Sequence, residues 1–141
     1  MPVLAELRGV HDLPSIPPHT PVSSILREMM PSWNTNRRIS VTDAARKHMN
    51  AGGVMHGGCL MSFADFSLFS IAAKEMEGVY GATVAFNCEF LQGPVIGDLM
   101  EARGEVLRAG KSIIFVRGII TGEGKPCLNF SGTIKKFKPR N

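Results

Sequence analysis

The 141-residue sequence has no Cys-x-x-Cys pair, no basic block interleaved with aromatics, and no apolar run approaching the ~20 residues that cross a bilayer. Each absence removes a class of protein. Three cysteines, Cys59, Cys88 and Cys127, leave one unpaired in any disulfide scheme, which points to a reducing compartment and to use as small core residues. Aromatics are only 7% of the chain, and the basic end "KKFKPRN" stands without a nucleic-acid motif, so it reads as a solvated terminus and nucleic acid is not an expected partner. The opening "MPVLAELRGVHDLPSIPPHTP" lacks a basic segment followed by a sustained apolar run, so no secretory signal is read there and the cytoplasm is the expected location.

What is present fits one soluble globular domain: 44% hydrophobic and 20% charged residues, in a chain long enough for one core and too short to suggest two. The excess of 16 Lys and Arg over 12 Asp and Glu is small, and it suits a small polyanionic ligand better than a nucleic acid. Four prolines between Pro14 and Pro21 make residues 1–21 an extended arm, because proline fixes φ and removes a backbone donor. Residues 22–141 form the domain. In "PVSSILREMM", Ile25, Leu26, Met29 and Met30 recur at helical spacing until Pro31 ends the pattern.

A first strand is expected around Arg38 to Ala44. From Gly57 to Ala73 the only acid or base besides a cysteine is Asp65, and Leu60, Met61, Phe63, Phe66, Leu68, Phe69 and Ile71 cover nearly every helical direction, as in a helix buried on all sides. After Gly78 the period becomes two. Val84, Phe86, Cys88 and Phe90 alternate with Thr83, Ala85, Asn87 and Glu89, and further strand-like runs follow, separated by "QGPVIGD", "RAGK" and "GEGK". Four successive strands with short turns predict an antiparallel meander. The fold class is α+β: an antiparallel β-sheet wrapped around one long central α-helix, with free sheet edges that invite a second chain.

Two features carry chemistry. A carboxylate in so apolar a helix, Asp65, either pairs with a distant arginine or is there for function, because an unpaired buried charge is costly. His56-Gly57-Gly58 stands where the first helical N–H groups lack acceptors and glycines admit a close ligand oxygen, the requirement for an oxyanion hole; a plain turn has the same composition. Asn50 either orients a reacting group or caps the glycine-rich turn. A Cys59–His56 nucleophilic pair lacks an orienting third group, and His48 with His56 matches no common metal spacing.

These residues carry a resemblance. "N-x-x-G-x-x-H-G-G", followed nine residues after the histidine by an aspartate, resembles the signature of hotdog-fold acyl-CoA thioesterases of the phenylacetate-pathway (PaaI) type. "VAFNCEFLQGPVIGD", "VLRAGKS" and "SGTIKKFKPR" are also similar to that family, over roughly Ile39 to Arg140. The resemblance implies Asp65 as general base or nucleophile and the Gly57 N–H as the donor polarising the thioester carbonyl. It further implies His56 in support, Asn50 facing the reacting centre and Thr83 holding the water. Ala51 stands where many relatives have proline, and Phe66 where many have a small residue; the second departure bears on acyl selectivity.

The expected activity is hydrolysis of an aryl- or medium-chain acyl-CoA to free acid and CoA, with no metal or redox cofactor and coenzyme A present only as part of the substrate. Gly58 and the "RAGKS" residues Gly110, Lys111 and Ser112 are candidates for binding CoA; for the latter three an ordinary hairpin turn is the alternative. The rival function is a non-catalytic acyl-CoA sensor or carrier. Phe63, Phe66, Phe69, Met55 and Met61 are either core or acyl-pocket lining. His56 and Asp65 lie nine residues apart on one helix, roughly 13 Å at ~1.5 Å per residue, so one carbonyl cannot touch both. If Gly57 and Asp65 serve one thioester they come from two chains, which makes a homodimer with interface active sites part of the expectation. By resemblance, dimers assemble further into a tetramer.

Overall fold

The computed structural model describes residues 34–36 and 39–139. The expected proline-rich arm and the helix of "PVSSILREMM" lie outside the described residues.

Strand β1 (Asn34–Asn36) and strand β2 (Ile39–Asp43) form a small hairpin, and β2 sits within one residue of its expected bounds. A glycine-rich loop leads to helix α1 (Gly57–Ile71). Strands β3 (Tyr80–Phe90), β4 (Leu99–Ala109), β5 (Ile113–Gly122) and β6 (Lys125–Phe137) follow. All six join one antiparallel sheet in the order β1-β2-β4-β5-β6-β3.

That order corrects the expected four-strand meander. Only β4, β5 and β6 are consecutive neighbours; β3 crosses the sheet to pair with β6 at the far edge. The cause lies in residues 91–98, where the Met55 N–H donates to Pro94 O and the Gly97 N–H to Ala44 O, pinning the connection across the sheet end. In contrast, β5 and β6 are joined by Glu123 and Gly124, both at positive φ (47° and 78°), the tight turn that matches strand twist.

The core is the interface between α1 and the sheet. Leu60, Phe63, Ala64, Ser67, Leu68 and Ile71 are buried at i, i+3, i+4, i+7, i+8 and i+11, against Met100, Ile114, Leu128, Phe130 and Ile134. A fully buried Phe63 or Leu68 contributes on the order of 1.5–3 kcal/mol. Close approach requires small residues on the sheet: a Cβ at Gly132 would collide with Leu68 Cδ1, and one at Gly104 with Ile71 Cδ1. The expectation of a helix buried on every side is corrected in part. The sheet covers one side only, leaving Gly58 and Met61 exposed and Ser62, Asp65 and Phe69 half-buried along the opposite stripe.

Candidate active site

The loop before α1 is built by its own polar groups. The Asn50 side-chain Oδ1 accepts from Gly52 N–H (2.8 Å) and Val54 N–H (3.3 Å), and the Asn50 N–H donates to Val54 O (2.8 Å). Asn50 therefore holds the turn in this structure, with its carbonyl oxygen already engaged. His48 anchors the other strand of the loop: its carbonyl accepts the His56 N–H at 2.7 Å, and its Nδ1 accepts the Ala45 N–H at 3.0 Å.

At the helix start, His56 is the N-cap, and its Nδ1 accepts the Gly58 N–H at 2.9 Å. An accepting Nδ1 fixes the neutral ring with its proton on Nε2, so the exposed His56 edge is a donor. The Gly58 N–H is consumed by this cap and is not open to a substrate. The Gly57 N–H, one of the first helical donors, has no acceptor among the described residues. The Phe90 ring lies over Gly57, since a Cβ there would be 3.2 Å from Phe90 Cε1. A cleft of 270 Å³ opens beside it, lined by Val54, Met55, Leu60, Leu91 and Gly93 among others.

Two turns along α1, the half-buried Asp65 receives a 2.6 Å hydrogen bond from Thr83 Oγ1 to its Oδ1. A hydroxyl-to-carboxylate bond this short is charge-assisted, and it leaves Oδ2 free for a second proton-bearing group. Thr83 reaches Asp65 because of a β-bulge. The β3–β6 register slips between Thr83 and Ala85, so Val84 and Ala85 are both exposed while Gly81, Thr83, Phe86 and Cys88 turn toward the helix. Strict alternation places Thr83 on the face opposite Phe86; the bulge corrects that reading.

The sequence candidates thus fall into two separate groups. His56, Gly57 and Gly58 stand at one end of the helix, and Asp65 with Thr83 stands eight residues on, roughly 12 Å away at ~1.5 Å per residue. Gly110, Lys111 and Ser112 form the β4–β5 turn, with Gly110 N–H bonded to Ile113 O (2.8 Å) and Ser112 O accepting from Lys136 N–H (2.8 Å). Through Ile114–Ile134–Thr83 pairing this turn shares its end of the sheet with Asp65 and not with Gly57. Of the apolar candidates, Phe63 and Met55 are core, Phe66 and Phe69 are half-buried, and Met61, one helical turn before Asp65, is 40% exposed.

The Cys59 thiol is pushed above its usual range by burial, against a smaller opposing effect of Lys47, so it is a poor thiolate source. Among the described residues no three His, Cys, Asp or Glu side chains converge as a metal-binding group, and no helix is long and apolar enough to cross a membrane. Sequence reasoning missed His48 and Phe90 as supports of the helix start. Only the proximity of His48 to Asn50 and the place of Phe90 at the end of a strand hint at them.

A curled antiparallel sheet packed on one long helix, with a donor-bearing helix start and an acid in the helix middle, defines the hotdog class. The family model of the thioesterase superfamily matches residues 52–127, and the chain belongs to that family of thioester hydrolases. No curated protein matches the sequence. Solved structures similar to it include the Escherichia coli PaaI protein from the phenylacetic acid degradation operon, at 20% identity over 80% of this chain and 84% of that one, with a TM-score of 0.70. A hypothetical thioesterase from Streptococcus pneumoniae with coenzyme A is 21% identical over 77% and 85%, TM-score 0.64. The smu.793 protein from Streptococcus mutans bound to acetyl CoA is 17% identical over 92% and 99%, TM-score 0.66. At these identities the likeness is one of fold.

Proposed function

We propose that the protein is a PaaI-type acyl-CoA thioesterase that hydrolyses aryl- or medium-chain acyl-CoA in the cytoplasm, and that each active site is shared by two chains. The observation that carries this reading is the 2.6 Å Thr83–Asp65 bond at one end of an exposed helical stripe whose other end bears the open Gly57 N–H and the His56 edge. Neither half suffices alone. In an antiparallel, two-fold related helix pair, the Gly57 N–H and His56 Nε2–H of one chain polarise the carbonyl, and Asp65 of the other acts.

Asp65, oriented by Thr83, takes a proton from water as the water oxygen adds to the carbonyl carbon. The charge on the carbonyl oxygen rests on the Gly57 and His56 donors until the carbon–sulfur bond breaks. The sulfur leaves with a proton, giving CoA and the free acid. These residues supply every step, and the reading requires no cofactor beyond the CoA of the substrate itself. The apolar cleft beside Gly57 is of a size for an aryl group or a medium acyl chain. Lys111, exposed in the turn at the Asp65 end, is assigned to the CoA phosphates with Gly110 and Ser112. The dimer pairs again into a tetramer, and the three free thiols suit a reducing compartment.

The test is release of free thiol from a panel of aryl, short, medium and long acyl-CoA esters by the purified protein. Turnover that peaks on aryl or medium chains supports the reading. Tight binding of the esters without thiol release replaces it with the sensor or carrier.

A further inference from the structure

Strand β3 is paired on one side only, with β6, so eleven residues of backbone face outward from the sheet edge. Long open edges bind another strand unless something blocks them, and Val84, Phe90 and Tyr80 add exposed apolar surface to this one. Only a second copy of this chain brings a Gly57 to Asp65, so the occupant follows from the split site. This step rests on the two-chain reading above and deepens it.

We infer that β3 pairs with β3 of the second copy in an antiparallel register centred on Asn87, and that the bulge at Val84 brings Thr83 opposite Phe90 of that copy. In an antiparallel pair, directly opposed residues point to the same face, so helix-facing residues must meet helix-facing residues. Centred on Asn87, the outward Asn87 meets itself, the inward Phe86 meets Cys88, and the outward Ala85 meets Glu89. The bulge then absorbs Val84, and the inward Thr83 falls opposite Phe90.

Phe90 is the residue whose ring lies over Gly57, and Thr83 is the residue bonded to Asp65. This register therefore sets the donor end of one chain beside the acid end of the other. Without the bulge, Val84 would take the place opposite Phe90 and Thr83 would face away from the helix. Every other register that keeps like faces together slides the partner by two residues, about 7 Å at ~3.4 Å per residue. That displacement exceeds the ~3 Å reach of the hydrogen bonds the reaction needs.

A residue on the two-fold axis faces its own copy at roughly 4.5–5.5 Å between Cα atoms, within disulfide range. Mild oxidation followed by a non-reducing gel reads the axis directly, using Asn87→Cys in a Cys88→Ser background, Ala85→Cys, Phe86→Cys, and the wild-type protein, whose own Cys88 reports a register centred there. Most of the Asn87→Cys protein is expected to run as a cross-linked dimer, the others to stay largely uncross-linked, and the cross-linked species to keep thiol release because Asn87 points away from the helix. Because Phe86 stacks on Phe130, its variant is checked by circular dichroism; if it unfolds, an Ala85→Cys/Asn87→Cys protein reads the same register through cross-pairing. Dominant cross-linking at position 85, 86 or 88 overturns the register and leaves the two-chain site standing. A monomer that still turns over acyl-CoA overturns both, whereas a dimer cross-linked at 87 without thiol release leaves the register and overturns the enzyme.

Discussion

Thr83 Oγ1 donates a 2.6 Å hydrogen bond to Asp65 Oδ1, tying the centre of the helix to an edge strand eighteen residues later in the chain. The bond orients the carboxylate so that one oxygen remains for a substrate proton. A hydrogen bond to a charged group contributes on the order of 1.5–3 kcal/mol. Thr83→Ala is therefore expected to lower kcat by about 10- to 100-fold. Thr83→Ser keeps the hydroxyl and is expected to keep most of the rate, while Thr83→Val, which matches the shape, is expected to behave like alanine. Steady-state thiol release by the three variants checks this.

A shared site makes a prediction about mixtures of chains. Asp65→Asn alone and His56→Ala alone are each expected to lose most activity, by roughly 100-fold or more for the acid. Mixed by co-expression or by unfolding and refolding together, half of the dimers carry one of each, and each of these has one intact site. Specific activity is then expected to recover to about a quarter of wild type. Mixtures no more active than the separate variants would place both residues in one chain's site.

Much of this arrangement is legible in the sequence, and the parts that are not have a physical reason. The helix and its lone acid stand out because Gly57 to Ala73 is otherwise free of acids and bases except Cys59, and the His56 cap follows from glycines at a helix start. The place of β3 is not legible, since strand order depends on backbone bonds such as Met55 N–H to Pro94 O that join distant segments. The bulge is hidden for a related reason. Val84 fits the alternation of Phe86 and Cys88 perfectly well, and only the register against β6 turns it outward and Thr83 inward. Asn50 shows the limit of a motif: its oxygen is spent on Gly52 and Val54, so its contribution runs through the shape of the loop.

Lys111 offers a separable test of CoA binding, because it is exposed and far from the acid chemistry. Exposed ion pairs contribute about 0.2–1 kcal/mol, so Lys111→Ala is expected to raise KM for CoA esters by no more than about fivefold at low ionic strength, with kcat unchanged. The difference is expected to shrink in high salt. It is also expected to vanish for thioesters of N-acetylcysteamine, which carry no phosphates. A KM that does not move for the CoA esters at low salt removes the turn from the binding site.

His48 predicts how the loop responds to acid. It is 6% exposed, accepts the Ala45 N–H through Nδ1, and has no partner for Nε2 among the described residues. Burial, with a smaller contribution from Lys47, holds its pKa below the ordinary histidine value of about 6.5. The folded state therefore binds fewer protons than the unfolded chain below that value, and stability rises with pH across this window. The contribution of His48 is fully present above about 6.5, is lost as pH falls from there through the depressed folded value, and changes no further once both states are protonated. Protonation also places a hydrogen on Nδ1, which then opposes the Ala45 N–H and loosens the segment whose His48 carbonyl holds the His56 N–H. Melting temperature is expected to drop between pH 7 and pH 5 in the wild type. His48→Asn, whose side-chain oxygen is able to keep the Ala45 bond without titrating, is expected to show a smaller drop over the same range. An equal slope in the two proteins would assign the acid sensitivity to other groups.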